Sequence, residues 1–165
     1  MQPGENRSHG LLSAGPFLFS CILGESGITR FKKEGDHATP AGSFRLLYGY
    51  FREDRIILPS TGLTMLPVMQ GDGWCDEPGH PAYNQPVKLP FSASHENLHR
   101  VDGLYDICLV LDYNISPQIR NRGSAIFFHL TRPDRKPTEG CVAIDRGNML
   151  KLLPYISTRT VMSIG

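Results

Sequence analysis

No stretch of the 165-residue chain approaches the roughly 18 to 20 consecutive apolar residues that carry a helix across a bilayer, so no membrane span is expected. An excess of one charge is missing too: 17 basic residues stand against 16 acidic ones, and no basic run is interleaved with aromatics. Nothing in that balance would draw the chain to nucleic acid. Cysteines are few. Cys21, Cys75, Cys108 and Cys141 are spread without a C-x-x-C pair, which argues against a zinc ribbon or a thioredoxin-type redox motif. His95 and His99 stand four apart, where a short helix capped at Ser94 would put them on one face, but no metal site is expected, and no cofactor. Repeats, low-complexity tracts and an interdomain linker are likewise absent.

What the chain does have is turn chemistry. Its 17 glycines and 13 prolines favour many short strands over long helices, and its length suits a single domain with a sizeable core. Residues 1–15, polar and Gly-rich, read as a flexible N-terminal segment, and 16–165 as one domain. The run LLSAGPFLFSCILG could be mistaken for an export or lipoprotein signal. Pro16 breaks it, however, and Phe17 to Gly24 is explained as a first strand. Ser43 to Phe51 is strand-like, Tyr105 to Tyr113 reads as a central strand covered on both faces, and Met65 to Val68 as a lid or edge. Asp145 is a suitable N-cap for a helix over Arg146 to Ile156, and Thr158 to Ile164 alternates as a closing strand. The class expected is therefore mostly β, with one or two short helices. Cys21 and Cys108 lie in apolar runs and read as core, Cys75 as an exposed loop cysteine, and His37 as a solvated loop histidine.

One stretch carries chemistry. In Gly123 to Asp145 the apolar run Ala125 to Phe128 delivers His129, the loop TRPDRKP cannot continue a strand, and Cys141 opens the apolar piece Val142 to Ile144. A free thiol with a pKa of about 8.5 is mostly protonated at neutral pH, and a neighbouring imidazole can take its proton and hold the thiolate as an ion pair. Gly140, directly before the cysteine, lets the chain turn sharply. It also lets backbone N–H groups, its own and that of Cys141, face a developing oxyanion, a contact worth about 3 kcal/mol per donor. Cys141, His129 and Gly140 are thus the catalytic candidates, in a constellation suited to acyl transfer. Trp74, Tyr83 and Asn84, in the dense segment Gly71 to Leu89, are candidates to wall a peptide-binding groove, although Trp74 could equally plug the core under a long loop.

The stretch resembles the active-site segment of the YkuD-like L,D-transpeptidases, whose signature is a histidine, a loop, then Ser or Thr, His, Gly, Cys, an apolar residue and Asn or Arg. His129, Thr138, Gly140 and Cys141 match it. Upstream, Thr39-Pro40-Ala41-Gly42-Ser43-Phe44 is similar to the Thr-Pro-x-Gly-x-aromatic segment that leads into an early core strand of that family. The likeness runs over Phe17 to Gly165. It implies a β-sandwich-like catalytic fold and a cysteine-dependent transfer on peptidoglycan stem peptides, by way of a thioester on Cys141, with a peptide donor and an amine acceptor as partners. A periplasmic or cell-envelope location follows from that substrate, against a cytoplasmic one from the lack of a convincing signal peptide; a monomer is expected.

The chain departs from the signature at two places. Glu139 replaces the second histidine, and Ala143 replaces the Asn or Arg that meets a substrate carboxylate. Arg132 or Arg146 could supply that charge, and Thr138 belongs with Arg132 among the expected substrate-binding residues. Thr131, Thr138 or a backbone carbonyl could orient His129. The loop between the catalytic candidates is shorter than is usual in the family, which would reshape the pocket mouth. The alternatives are a cysteine hydrolase, carboxypeptidase or amidase-like, and a non-catalytic peptidoglycan-binding remnant.

Overall fold

The computed structural model of the protein describes residues 7–165. In chain order its strands are β1 (His9–Ala14), β2 (Phe17–Ile22), β3 (Ile28–Thr29), β4 (Thr39–Pro40), β5 (Gly42–Phe51), β6 (Met65–Pro67), β7 (Asp72–Cys75), β8 (Pro86–Lys88), β9 (His95–Asn97), β10 (Ile107–Leu111), β11 (Phe127–Leu130) and β12 (Val142–Ile144). Helix α1 (Arg146–Leu152), a 3-10 turn (Leu153–Tyr155) and β13 (Val161–Ile164) complete the chain. The strands are short because glycine and proline interrupt almost every apolar run.

The main sheet has the order β1-β2-β12-β11-β10-β5-β13, with β6 added to β5. Its centre is β10 and β11, paired antiparallel with Cys108 opposite His129, and β11 and β12, paired parallel with Phe128 opposite Val142. A strand side chain alternates between faces. Ile107, Leu109, Phe128, Leu130, Val142 and Ile144 therefore join one core, against Met149, Leu152 and Leu153 of the helical segment. Cys108, Val110, Phe127 and Cys141 join a second core on the other face, with Trp74, Leu98 and Tyr105. The small sheet β8-β7-β9 supplies that second cover, since Trp74 lies on β7 and Leu98 directly follows β9. Burying each such aliphatic or aromatic side chain contributes about 1.5 to 3 kcal/mol. The apolar middle of β10 is buried on both faces, as its sequence required.

Several expectations need correction. The segment read as flexible contains β1, which pairs residue for residue with β2 across a turn at Gly15 and Pro16; residues 1–6 lie outside the described residues. No helix forms at Ser94 to His99. His95–Asn97 is instead a strand, because its backbone is taken up by β7, with Trp74 opposite Glu96. That run spells H-E-x-x-H, a zinc motif only when a helix aligns the histidines. Here it is extended, and no three His, Cys, Asp or Glu side chains among the described residues converge to hold a metal. Cys75 is fully buried rather than exposed, and all four cysteines are free. Helix α1 ends at Leu152, and Asp145 caps it with its backbone carbonyl alone; its carboxylate is held by Thr131 and Arg135. No helix among the described residues is long and apolar enough to cross a membrane.

Candidate active site

His129 and Cys141 come together through sheet register. Phe128 pairs with Val142, so Cys141 stands opposite Phe127, and both His129 and Cys141 project on the face that carries Phe127. They line one cleft of about 300 Å³ together with Thr138, Arg132 and Ala143. The histidine is only 4% exposed, and the cysteine 8%.

Each is held by backbone. His129 Nδ1 lies 2.8 Å from the carbonyl oxygen of Leu130. A carbonyl only accepts, so Nδ1 carries the hydrogen and Nε2 is left as the basic lone pair. The orienting group is thus that carbonyl. Thr131 is turned to Asp145, and Thr138 Oγ1 donates to the Cys141 carbonyl at 2.7 Å. The Tyr105 ring packs edge-on against the imidazole, with centroids 5.2 Å apart, and the Arg100 guanidinium lies over that ring, 5.3 Å from its centroid. Cys141 Sγ donates to the Ala125 carbonyl at 3.2 Å and accepts from the Phe127 N–H at 3.3 Å. No hydrogen bond joins sulfur to imidazole among the described residues.

Burial drives the two apart in charge. It pushes the Cys141 thiol up to about 12, with Glu96 and Glu139 adding to the rise and the Phe127 N–H and Lys32 opposing it. It also lowers His129 to about 4, against the Leu130 hydrogen bond. The expected thiolate–imidazolium ion pair is therefore replaced by a neutral thiol beside a neutral imidazole.

Gly140 is fixed by geometry. Its φ is +136°, and a Cβ there would stand 2.8 Å from the Ala38 carbonyl oxygen. Only glycine fits. Its N–H donates to Thr138 Oγ1 at 3.2 Å, so this donor, expected to face an oxyanion, is already engaged.

Trp74, Tyr83 and Asn84 do not wall the cleft. They are 1%, 0% and 1% exposed, and they build the site from behind. Asn84 Oδ1 accepts from Trp74 Nε1 and from the Ala125 N–H, both at 2.9 Å, while Nδ2 donates to the carbonyls of Tyr113 and Asn114. That network holds Ala125, a non-glycine at φ +51°, in the conformation that presents its carbonyl to the thiol. Tyr83 is hydrogen-bonded to Glu34, which also accepts from Ser124. Asn84→Ala strands two donors and two acceptors in the interior. A loss of about 3 kcal/mol or more in unfolding free energy, read from urea denaturation, is expected.

Arg146 is also placed elsewhere. Its guanidinium donates to the Arg55 carbonyl at 2.7 Å and does not reach the cleft. Arg132 lines the cleft with only a loose ion pair, 3.7 Å, to Asp102.

Sequence reading missed the cleft's acidic side and its aromatic support. Glu34, Asp76, Glu96 and Glu139 line it with Tyr105, and His37, read as a solvated loop residue, lines it too. Desolvation raises the Glu96 carboxyl, Arg100 opposes this, and Asp76 and Glu139 add to it. The one signal available was the density of charge in two Gly- and Pro-rich loops, DGWCDEP and SHENLHRVD.

Among comparisons with known proteins, no curated protein and no solved structure matches the chain. A family profile does: that of the YkuD L,D-transpeptidase catalytic domain covers residues 5–164. It spans every strand, the helix and every residue of the cleft, and the mostly β architecture fits it. A cysteine and a histidine brought onto one sheet face by parallel register, in a chain matched over almost its whole length, thus have a common source: the chain belongs to the YkuD family of L,D-transpeptidase catalytic domains.

Proposed function

We propose that the protein is a cysteine acyltransferase acting on peptidoglycan stem peptides in the cell envelope, with Cys141 as nucleophile and His129 as general base. The observation that supports this most directly is the fixed tautomer of His129. Its Nδ1–H is committed to the Leu130 carbonyl, so Nε2 is the proton acceptor, on the same face as the thiol. Because thiol and imidazole are both neutral at rest, proton transfer accompanies attack rather than preceding it. The sulfur adds to the carbonyl carbon of the diamino acid as its proton passes to Nε2. The carbon–nitrogen bond to D-alanine then breaks, the imidazolium protonates the leaving amine, and a thioester remains. An acceptor amine attacks the thioester, gives a proton to Nε2, and the sulfur leaves and is reprotonated. Arg132, with its charge only loosely paired, takes the donor carboxylate in the role that Ala143 cannot fill.

The test is a stem tetrapeptide incubated with the protein, with and without an added diamino acid amide, and product masses read by mass spectrometry. A cross-linked product containing the added amine is expected. Release of D-alanine with only water incorporated would make the protein a carboxypeptidase, and no D-alanine release with any acceptor would remove the acyl-transfer reading.

A further inference from the structure

Two adjoining loops, away from the catalytic pair, sort their charge. In the connection from β3 to β4 the acids are tied down by neighbours. Glu34 accepts from the Tyr83 and Ser124 hydroxyls, and Asp36 from Lys32 and from the backbone N–H groups of Lys33 and Ala38. Lys32 is only 5% exposed and engaged in that ion pair, whereas Arg30 and Lys33 on either side of it are exposed. Residues 119–122 lie alongside, since the Glu34 N–H donates to the Asn121 carbonyl at 3.0 Å and the Lys32 stem packs where a Cβ on Gly123 would stand 3.0 Å from it. Arg120 and Arg122 of this second loop are exposed as well. Among the described residues, none of the four cationic heads of Arg30, Lys33, Arg120 and Arg122 makes an ion pair or a hydrogen bond. The same loops carry apolar side chains. Phe31 is 80% exposed, the most exposed aromatic among the described residues, and Ile119 is 49% exposed. One exposed apolar residue is ordinary, but an aromatic bracketed by unpaired cations, with a second such group beside it, marks an interaction surface.

The kind of partner follows from that mixture. A soluble polyanion calls for charge alone and gives an exposed phenyl ring nothing to enter. A bilayer with anionic headgroups suits both parts: Lys and Arg are drawn to its surface potential, while Phe and Ile enter the boundary between headgroups and acyl chains. We propose that residues 30–33 and 119–122 form a docking surface for an anionic phospholipid membrane, with Phe31 as the inserted side chain. The surface is built in advance. Asn114 fixes the second loop from within, accepting from the Ile119 N–H at 2.8 Å and donating to the carbonyls of Ile119 and Gly123 at 2.9 and 2.8 Å, so docking orders little that is not already ordered. Attachment is peripheral and reversible, as expected of a few cations and one or two apolar side chains. The first loop continues into the cleft, which Glu34, Gly35 and His37 line, and a docked protein therefore holds that rim near the bilayer. Docking does not depend on the chemistry of the cleft.

The test is cosedimentation of the protein with vesicles of phosphatidylcholine alone and of phosphatidylcholine mixed with phosphatidylglycerol. Binding is expected to the mixed vesicles and not to the neutral ones. It should fall steeply between about 0.1 M and about 1 M salt, as the screening length shortens from about 10 Å to about 3 Å. A chain carrying both Arg120→Gln and Arg122→Gln is expected to bind about 25-fold more weakly, at about fivefold per cation, and Phe31→Ser about tenfold more weakly. The control chain carries Lys151→Gln and Arg159→Gln, an equal change in net charge at exposed, unpaired positions on α1 and in the turn before β13, and should bind within about twofold of wild type. All these side chains are exposed, so unchanged thermal unfolding is expected and separates lost docking from lost fold. No binding of the wild type to the mixed vesicles overturns the proposal, as does equal weakening in the two double variants, which would be an effect of net charge alone. Weakening in the Arg120 and Arg122 variant with Phe31→Ser unaltered also overturns it, leaving a contact for soluble polyanions in its place.

Discussion

Cys141→Ala is expected to abolish the covalent adduct that a stem tetrapeptide or a carbapenem-type donor forms with the protein, taking it from one donor per chain to none by intact mass, while the fold persists. The structural argument for survival of the fold is local. Both hydrogen bonds of the sulfur are to backbone, from the Phe127 N–H and to the Ala125 carbonyl, and the Asn84 network holds the Ala125 backbone independently of it. Losing both weak contacts costs about 1 to 3 kcal/mol, within the stability of an ordinary domain. Cys108→Ala is the control. That cysteine is fully buried in the same core but does not line the cleft, so its variant keeps the adduct. Reactivity towards a small alkylating reagent is a poorer guide. With burial holding the thiol near 12, Cys141 is expected to react more slowly near pH 7 than a free cysteine, and donor binding must bring about proton transfer. An adduct that persists in Cys141→Ala would place the nucleophile elsewhere.

The pair at the centre of the site was legible because both residues close or open apolar runs that could only be strands, and because glycine before the cysteine needs a backbone reason. The structure supplies that reason in the Ala38 carbonyl. What sequence could not show is that β11 and β12 run parallel, so that register, not a hairpin, aligns the two side chains. Nor could it show the depth of burial, which turns an anticipated ion pair into two neutral groups. In the segment Gly71 to Leu89, whether Trp74, Tyr83 and Asn84 face a groove or the core depends on β7 pairing with β8 within the segment and with β9 beyond it, which the residues alone do not fix. The same pairing overrode the helical look of His95 to His99 and delivered Glu96 to the cleft. Charged side chains scattered over separate loops carry no periodicity, and only the folded chain assembles them into a wall.

His129→Asn should separate chemistry from stability in a single variant. Asparagine can still donate to the Leu130 carbonyl but has no lone pair of useful basicity, so kcat/KM for donor is expected to fall about 10³-fold with little change in KM. The stability effect has a definite sign. The imidazole's folded value, near 4, lies below its ordinary 6.5, so between those limits the unfolded chain binds a proton that the native chain does not. Unfolding free energy therefore falls as pH drops from 6.5 towards 4, by about 3 kcal/mol from this residue alone, and the contribution is whole above pH 6.5. Carboxylates titrate in part of the same window, so the informative quantity is the difference between wild type and variant in urea unfolding at pH 7 and pH 4. The wild type is expected to lose about 3 kcal/mol more than His129→Asn across that interval. Parallel losses in the two proteins would mean that His129 takes up its proton in the folded state, and the neutral pair from which the proposed attack begins would have to be replaced by an imidazolium.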